Sequence, residues 1–88
     1  MNSNVIVINL ADNVAVAIRA IKAGEKIIGA EGKDITANAD IPPSHKVAIS
    51  DIPENGRILK YGESIGLAKV VIGPGDWVHT HNIKGEEA

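Results

Sequence analysis

Histidine, lysine and tyrosine side chains in the second half of this sequence carry most of the chemistry it can offer. Residues 79–82 read HTHN, directly after GPGDWV. Read as a strand, this segment puts His79 and His81 at i and i+2, so both imidazoles leave one face with Cα atoms roughly 6.5–7 Å apart. Two neutral imidazoles at that spacing can converge on one divalent ion or on an anionic substrate. The same pattern also suits two solvated histidines on an outer strand. His45 opens a separate stretch, HKVAISDI (45–52), after Pro42 and Pro43. A second group pairs His45 and Lys46 with Lys60 and Tyr61. Ammonium and phenol groups are suited to gripping the carboxylate and hydroxyls of a polyol acid, although for any single lysine the favoured reading is that it lies along the surface on its own stem. Asp12 is either a turn residue that caps backbone amides or a polar site residue, and the turn reading is favoured. Trp77 either walls a pocket beside the histidines or fills the core, and the core reading is favoured.

No complete catalytic apparatus accompanies these residues. The sequence has no phosphate-cradling loop, no G-x-S-x-G elbow and no H-E-x-x-H pair. With no cysteine, disulfides and thiolate metal sites are excluded. Acid, base and metal ligands for a full reaction would need a larger pocket than so short a chain readily encloses. This points to a site shared with another polypeptide. Lysine plus arginine number 9 against 11 acids, a net charge of −2, and Tyr61 and Trp77 are the only aromatic residues. Phosphate contacts and base stacking are therefore poorly supported, and no nucleic-acid partner is expected. The start, MNSNVIVINLAD, lacks a basic stretch and a cleavage site, and no apolar run approaches the roughly 20 residues of a membrane span. No membrane association is expected, and the expected location is cytoplasmic.

The elements that must position these groups read as strands. Isoleucine, valine and alanine dominate the apolar residues, a balance that favours pleated strands, so the fold class is mainly β. Residues 4–10 (NVIVINL) form a continuous apolar run, and residues 35–41 place Ile35, Ala37, Ala39 and Ile41 on one face by period two. DNVAVAI (12–18) fits a strand through Val14, Val16 and Ile18, or a helix capped by Asp12; its β-branched density favours the strand. One pattern occurs three times: Ile21–Gly24–Ile27, Ile52–Gly56–Ile58 and Ile72–Gly75–Val78, each an apolar anchor, a glycine turn and a new strand. Glycine reaches the positive φ that such reversals often need, and Pro53 and Pro74 stiffen two of them. LKYGESIGLAKV (59–70) reads as a further hairpin with its turn near Tyr61 to Ser64. The whole is one compact domain of short strands and hairpins over residues 1–83, with a charged, frayed tail at 84–88. A domain of this size buries only roughly 60–65% of the surface its unfolded chain exposes, so oligomerisation or docking would help to stabilise it.

Taken together, DNVAVAI (12–18), HKVAISDI (45–52), KYGESIG (60–66) and GPGDWVHTHN (73–82) resemble, in order and spacing, the N-terminal segment of altronate dehydratases. The pairing of KYG-x-x-IG with a later VH-x-HN is far more specific than either motif alone. That segment is a SAF domain, a β-clip fold also found in sialic acid synthases and similar to type III antifreeze proteins. Ice binding is set aside, because function does not follow from fold. The resemblance implies a small subunit or N-terminal domain of a lyase that dehydrates a sugar acid such as altronate or galactarate. It also implies a divalent metal, Fe2+ by preference with Mn2+ or Mg2+ as alternatives, and a large catalytic subunit as partner. Chains of this length also resemble the alpha subunit of sulfolactate sulfo-lyase, which expels sulfite instead of water. Carried over by position, His79 and His81 are the catalytic and metal-binding candidates, and His45, Lys46, Lys60, Tyr61 and Asn82 the substrate contacts. Residues 28–43 match least, with SHK where GHK is expected. A non-catalytic module that binds a sugar acid or a protein is the rival reading, and a homo-oligomer is compatible with either.

Overall fold

Tight corners organise the whole chain. The computed structural model describes residues 3–30 and 32–85. Among these the chain forms nine short strands: β1 (Val5–Ile6), β2 (Val14–Ala17), β3 (Lys26–Ile27), β4 (Ile35–Thr36), β5 (Lys46–Ala48), β6 (Arg57–Lys60), β7 (Glu63–Ala68), β8 (Trp77–Val78) and β9 (Ile83–Lys84). The described residues contain no helix, and so none long and apolar enough to cross a membrane.

The anchor–turn–strand pattern occurs four times in the structure, once more than its glycines suggest. Each corner is a four-residue turn whose last N–H donates to its first carbonyl: Glu25 to Lys22, His45 to Pro42, Gly56 to Pro53 and Asp76 to Gly73. The third residue has positive φ every time, at 89° for Gly24, 69° for Ser44, 68° for Asn55 and 93° for Gly75. This is the type II turn, in which proline suits the second position, as Pro43 and Pro74 do. The second corner escapes a search for glycine because Ser44 fills the left-handed position. In the third corner the positive φ falls on Asn55, not on Gly56. Gly56 meets a different need, since a Cβ there would lie 2.8 Å from the Pro53 carbonyl oxygen.

Every corner clamps one buried alanine through two backbone bonds. Gly24 N–H donates to the Ala37 carbonyl and Ala37 N–H to that of Glu25. The same exchange joins Ser44 and His45 to Ala17, Asn55 and Gly56 to Ala68, and Gly75 and Asp76 to Ala48. The isoleucines that open the corners pair across the molecule as isolated bridges, Ile21 with Ile41 and Ile52 with Ile72. All four are at most 1% exposed, and each such burial contributes roughly 1.5–3 kcal/mol. Sequence separation is large in every case, so the corners tie distant segments and not merely neighbours.

The central sheet has the order β1-β2-β5-β8, all antiparallel. Strand alternation sends its side chains into two separate cores. One face supplies Val5, Ala15, Ala17 and Val47 to a core with Ile21, Ile27, Ile35 and Ile41. The other supplies Val14, Ala48 and Val78 to a core with Ile52, Ile58 and Ile72. The second core is closed by the β6-β7-β9 sheet, and the first carries the β3-β4 pair. The result is an elongated body of 43 × 23 × 20 Å.

The strand reading of residues 12–18 holds, and Ile35, Ala37 and Ile41 are buried as their alternation predicts. The hairpin turn is Tyr61–Gly62, both with positive φ, the two-residue connection that matches strand twist. Only Val5 and Ile6 of the run 4–10 pair as a strand, and Ile8 and Leu10 are exposed instead of buried. Lys84 pairs with Leu67, so strand pairing extends past residue 83; residues 86–88 of the expected tail lie outside the described residues.

Candidate functional site

The second and fourth corners bring the histidines together. His45 closes the second corner, and Trp77 follows the fourth. β5 and β8 run antiparallel with Val47 opposite Trp77 and Lys46 opposite Val78. Continuing that register sets His45 beside His79, and their ring centroids lie 4.6 Å apart. Trp77 stacks on His79 at 5.4 Å with 6° between planes, and His81 leans on the indole at 5.1 Å. The indole N–H donates to Nδ1 of His45 at 3.2 Å. Trp77 therefore fulfils both sequence readings: it packs against the first core and it walls the histidine group.

The HTHN segment is a turn and not a strand, which corrects the expected projection of His79 and His81 side by side. β8 ends at Val78, and residues 79–82 reverse the chain into β9. Asn82 builds this reversal. Its Oδ1 accepts from the His79 N–H at 2.9 Å and its Nδ2 donates to the Trp77 carbonyl at 2.9 Å. Its own N–H, and that of Ile83, donate to the His79 carbonyl. Asn82 is 6% exposed, and both ends of its amide are engaged by the backbone. Because the chain turns, His79 and His81 meet Trp77 separately, and the close ring pair is His45 with His79.

That geometry fixes what His45 can do. An indole N–H only donates, so Nδ1 of His45 must be the acceptor, and in the neutral ring the proton sits on Nε2. An Nε2–H suits donation to a carboxylate or hydroxyl oxygen and leaves no lone pair there for a metal. His79 and His81 are then the imidazoles available to an ion. Among the described residues no three His, Cys, Asp or Glu side chains converge so as to hold one. His79 and His81 do not by themselves make a coordination sphere among the described residues.

Lys46, Lys60 and Tyr61 form a second group, apart from the first. Residues 45 and 46 are neighbours on an extended segment, and alternation turns them to opposite faces of the sheet. No hydrogen bond or ring contact among the described residues links the two groups. Lys60 Nζ lies 4.8 Å above the Tyr61 ring centroid, within cation–π range. Partial burial, followed by the charge of Lys60, holds the Lys46 ammonium below the usual lysine range. Among the described residues neither lysine has a carboxylate within ion-pair distance. The tip of the hairpin that carries Lys60 and Tyr61 is held by Asp12, whose carboxylate accepts from the N–H groups of Asn9, Tyr61 and Gly62 at 3.1, 3.0 and 2.7 Å. Asp12 is thus the turn-capping residue that the sequence favoured. Asn13 adds a second staple, with its Oδ1 accepting from Leu59 and its Nδ2 donating to Arg57. Sequence reasoning missed both the Asn13 bridge and the indole–imidazole bond, because each joins residues more than 30 positions apart.

Two clefts flank these groups. One of about 260 Å³ is bordered by Val71, Asp76, Trp77 and His81. A larger one of about 420 Å³, between Val7, Leu10, Asp12 and Ile49, is not lined by the histidines. A drug-sized ligand occupies roughly 300–1,000 Å³ of enclosed space, so the histidine side is a wall and not a complete pocket.

Comparison with known proteins agrees with this partial character. A family model for the altronate/galactarate dehydratase SAF domain matches residues 3–86. Altronate dehydratase of Bacillus subtilis is 43% identical over 77 residues, which are 88% of this chain and 15% of that protein. Galactarate dehydratase (L-threo-forming) of Escherichia coli is 42% identical over 69 residues, 76% of this chain and 12% of its own. The alpha subunit of (2R)-sulfolactate sulfo-lyase from Chromohalobacter salexigens is 34% identical over 74 residues, 78% of this chain and 79% of that subunit. The chain therefore spans about 15% of the length of altronate dehydratase but most of the sulfo-lyase subunit. With the family model covering nearly every residue, and with the all-β architecture in place, this chain belongs to the SAF-domain family of altronate and galactarate dehydratases.

Proposed function

We propose that this chain is the SAF part of a cytoplasmic lyase that removes water from a sugar acid of the altronate or galactarate type, with the active site completed by a large catalytic polypeptide. The observation that carries this reading is the assembly of His45, Trp77, His79 and His81 from two distant corners into one wall. Nothing in the packing of a small β domain requires three imidazoles around a single indole. Among the described residues the His45 side chain is bonded at Nδ1, which leaves Nε2–H to donate to an oxygen of the substrate acid. His79 and His81 would contribute to holding a divalent metal, Fe2+ by preference, together with ligands from the large polypeptide. When bound, such an ion polarises the acid so that the proton α to the carboxylate is more readily removed. His79 and His81 are also of the residue type that most often moves a proton in such steps. Asn82 and Trp77 position them.

A second reading, the alpha subunit of a sulfolactate sulfo-lyase, is favoured by one observation: the match extends over 79% of such a subunit, against 15% of an altronate dehydratase. The two differ in the leaving group. The test is turnover of altronate, galactarate and sulfolactate by the large polypeptide and a divalent metal, with and without this chain. A gain in the dehydrated keto acid on addition of the chain supports the first reading, and release of sulfite the second. No gain with any of the three acids refutes both.

A further inference from the structure

The second core covers only part of its face of the central sheet. At Val14, Ala48 and Val78 that face is sealed. One row along, the register sets Ile6 beside Val16 and Val16 beside Lys46, and here the cover stops. Val16 is half-buried, while Ile6, Ile8 and Ile18 are 47%, 47% and 50% exposed. Scattered apolar residues on a surface are ordinary, but here Ile6 and Val16 are paired side by side and Ile8 and Ile18 follow them by two positions just beyond the ends of β1 and β2. At the end of this stripe stand Lys46 and Lys60, two ammonium groups of like charge.

We infer that this stripe is the docking face for the large catalytic polypeptide of the lyase, which meets it with an apolar surface edged by carboxylates. The inference rests on the functional reading above and adds to it the place of contact. Two features choose this occupant. The altronate dehydratase relatives carry the matched segment as 15% of their length, so most of such a protein lies outside this domain, joined to it in one chain. The lysine pair lacks a carboxylate partner among the described residues, so acidic side chains on the incoming surface would complete it. The location also suits catalysis. His45 and His79 are one residue along from Lys46 and Val78 at the same end of the sheet, so a polypeptide seated on the stripe reaches the histidines around that end. The active site then lies at the rim of the interface, not beneath it.

The test uses the full chain and the lyase large polypeptide that co-purifies with it, with affinity measured by calorimetry. Ile18→Glu and Ile6→Glu should each weaken binding at least tenfold, as should Lys46→Glu combined with Lys60→Glu. Leu10→Glu, at a fully exposed site in the β1–β2 connection beside the larger cleft, should stay within twofold. Circular dichroism and melting of each variant alone separate lost docking from lost folding, and Ile18→Thr serves should the glutamate variant not fold. Normal binding by the folded isoleucine variants, with turnover intact, would overturn this docking face while leaving the lyase reading in place. Absence of any lyase polypeptide in the purified complex would overturn both. Loss of self-association alone in the same variants would assign the stripe to a second copy and also overturn the proposal.

Discussion

An indole that donates to an imidazole sets the tautomer of that imidazole, and this single bond divides the work among the three histidines. Trp77→Phe removes the donor while keeping most of the ring packing. The neutral His45 ring should then lose its preference for the Nε2–H form, an outcome read directly from ring nitrogen chemical shifts. Finding His45 as the Nδ1–H tautomer in the unaltered protein would refute the assignment. Lys46 gives a second prediction at this scale. Burial, and then Lys60, hold its pKa below that of the unfolded chain. Between the lowered and the ordinary value the unfolded chain binds more protons, so stability rises with pH across that window; below it the cost of the buried charge is fully present. Lys60→Met should raise the Lys46 pKa only part of the way, because burial is the larger cause. A pH titration of the Lys46 side chain by NMR checks both the direction and the partial recovery.

The four corners share one hydrogen-bond scheme but not one environment, so the same substitution should have unequal effects. Gly24 and Gly75 both occupy the left-handed position of their turns. An added Cβ at Gly24 meets nothing within 4 Å, whereas at Gly75 it would lie 2.2 Å from the Thr36 carbonyl oxygen. Gly24→Ala should cost about 1 kcal/mol, from the φ requirement alone. Gly75→Ala adds a backbone collision and should cost about 3 kcal/mol, and denaturant melts of the two variants would resolve the difference. Equal losses would mean that the corners are not distinguished by their packing. Two of these corners were legible because glycine itself takes the positive φ, at Gly24 and Gly75, and a third because Gly56 stands next to the left-handed Asn55. The one at Ser44 was not, since a non-glycine residue is held left-handed there by its own bond and that of His45 to Ala17. The two-residue hairpin was legible despite a tyrosine at its first position, because Gly62 and the flanking alternation mark the turn. HTHN misled for the opposite reason: its polar residues alternate as on a strand, and only the side-chain bonds of Asn82 reveal a turn.

At the scale of the whole molecule, one sheet separates two cores and, with them, two kinds of surface. Adjacent residues His45 and Lys46 belong to different groups because a strand alternates its faces. The sequence shows that both are polar and close together, but not that they point apart, since this depends on where β5 sits in the sheet order. The mainly β class and the family were legible from composition and from four matched segments. The partition into a histidine wall and an apolar docking stripe required the register of β1, β2, β5 and β8. On this account the chain brings imidazoles to chemistry that is completed by a larger polypeptide. The most direct measurement is kcat of the reconstituted pair with His79→Ala, His81→Ala and the double variant, each compared at saturating chain. The account predicts a fall in kcat of roughly a hundredfold or more for the double variant, with assembly of the pair unchanged. A kcat indistinguishable from that of the unaltered pair would contradict it.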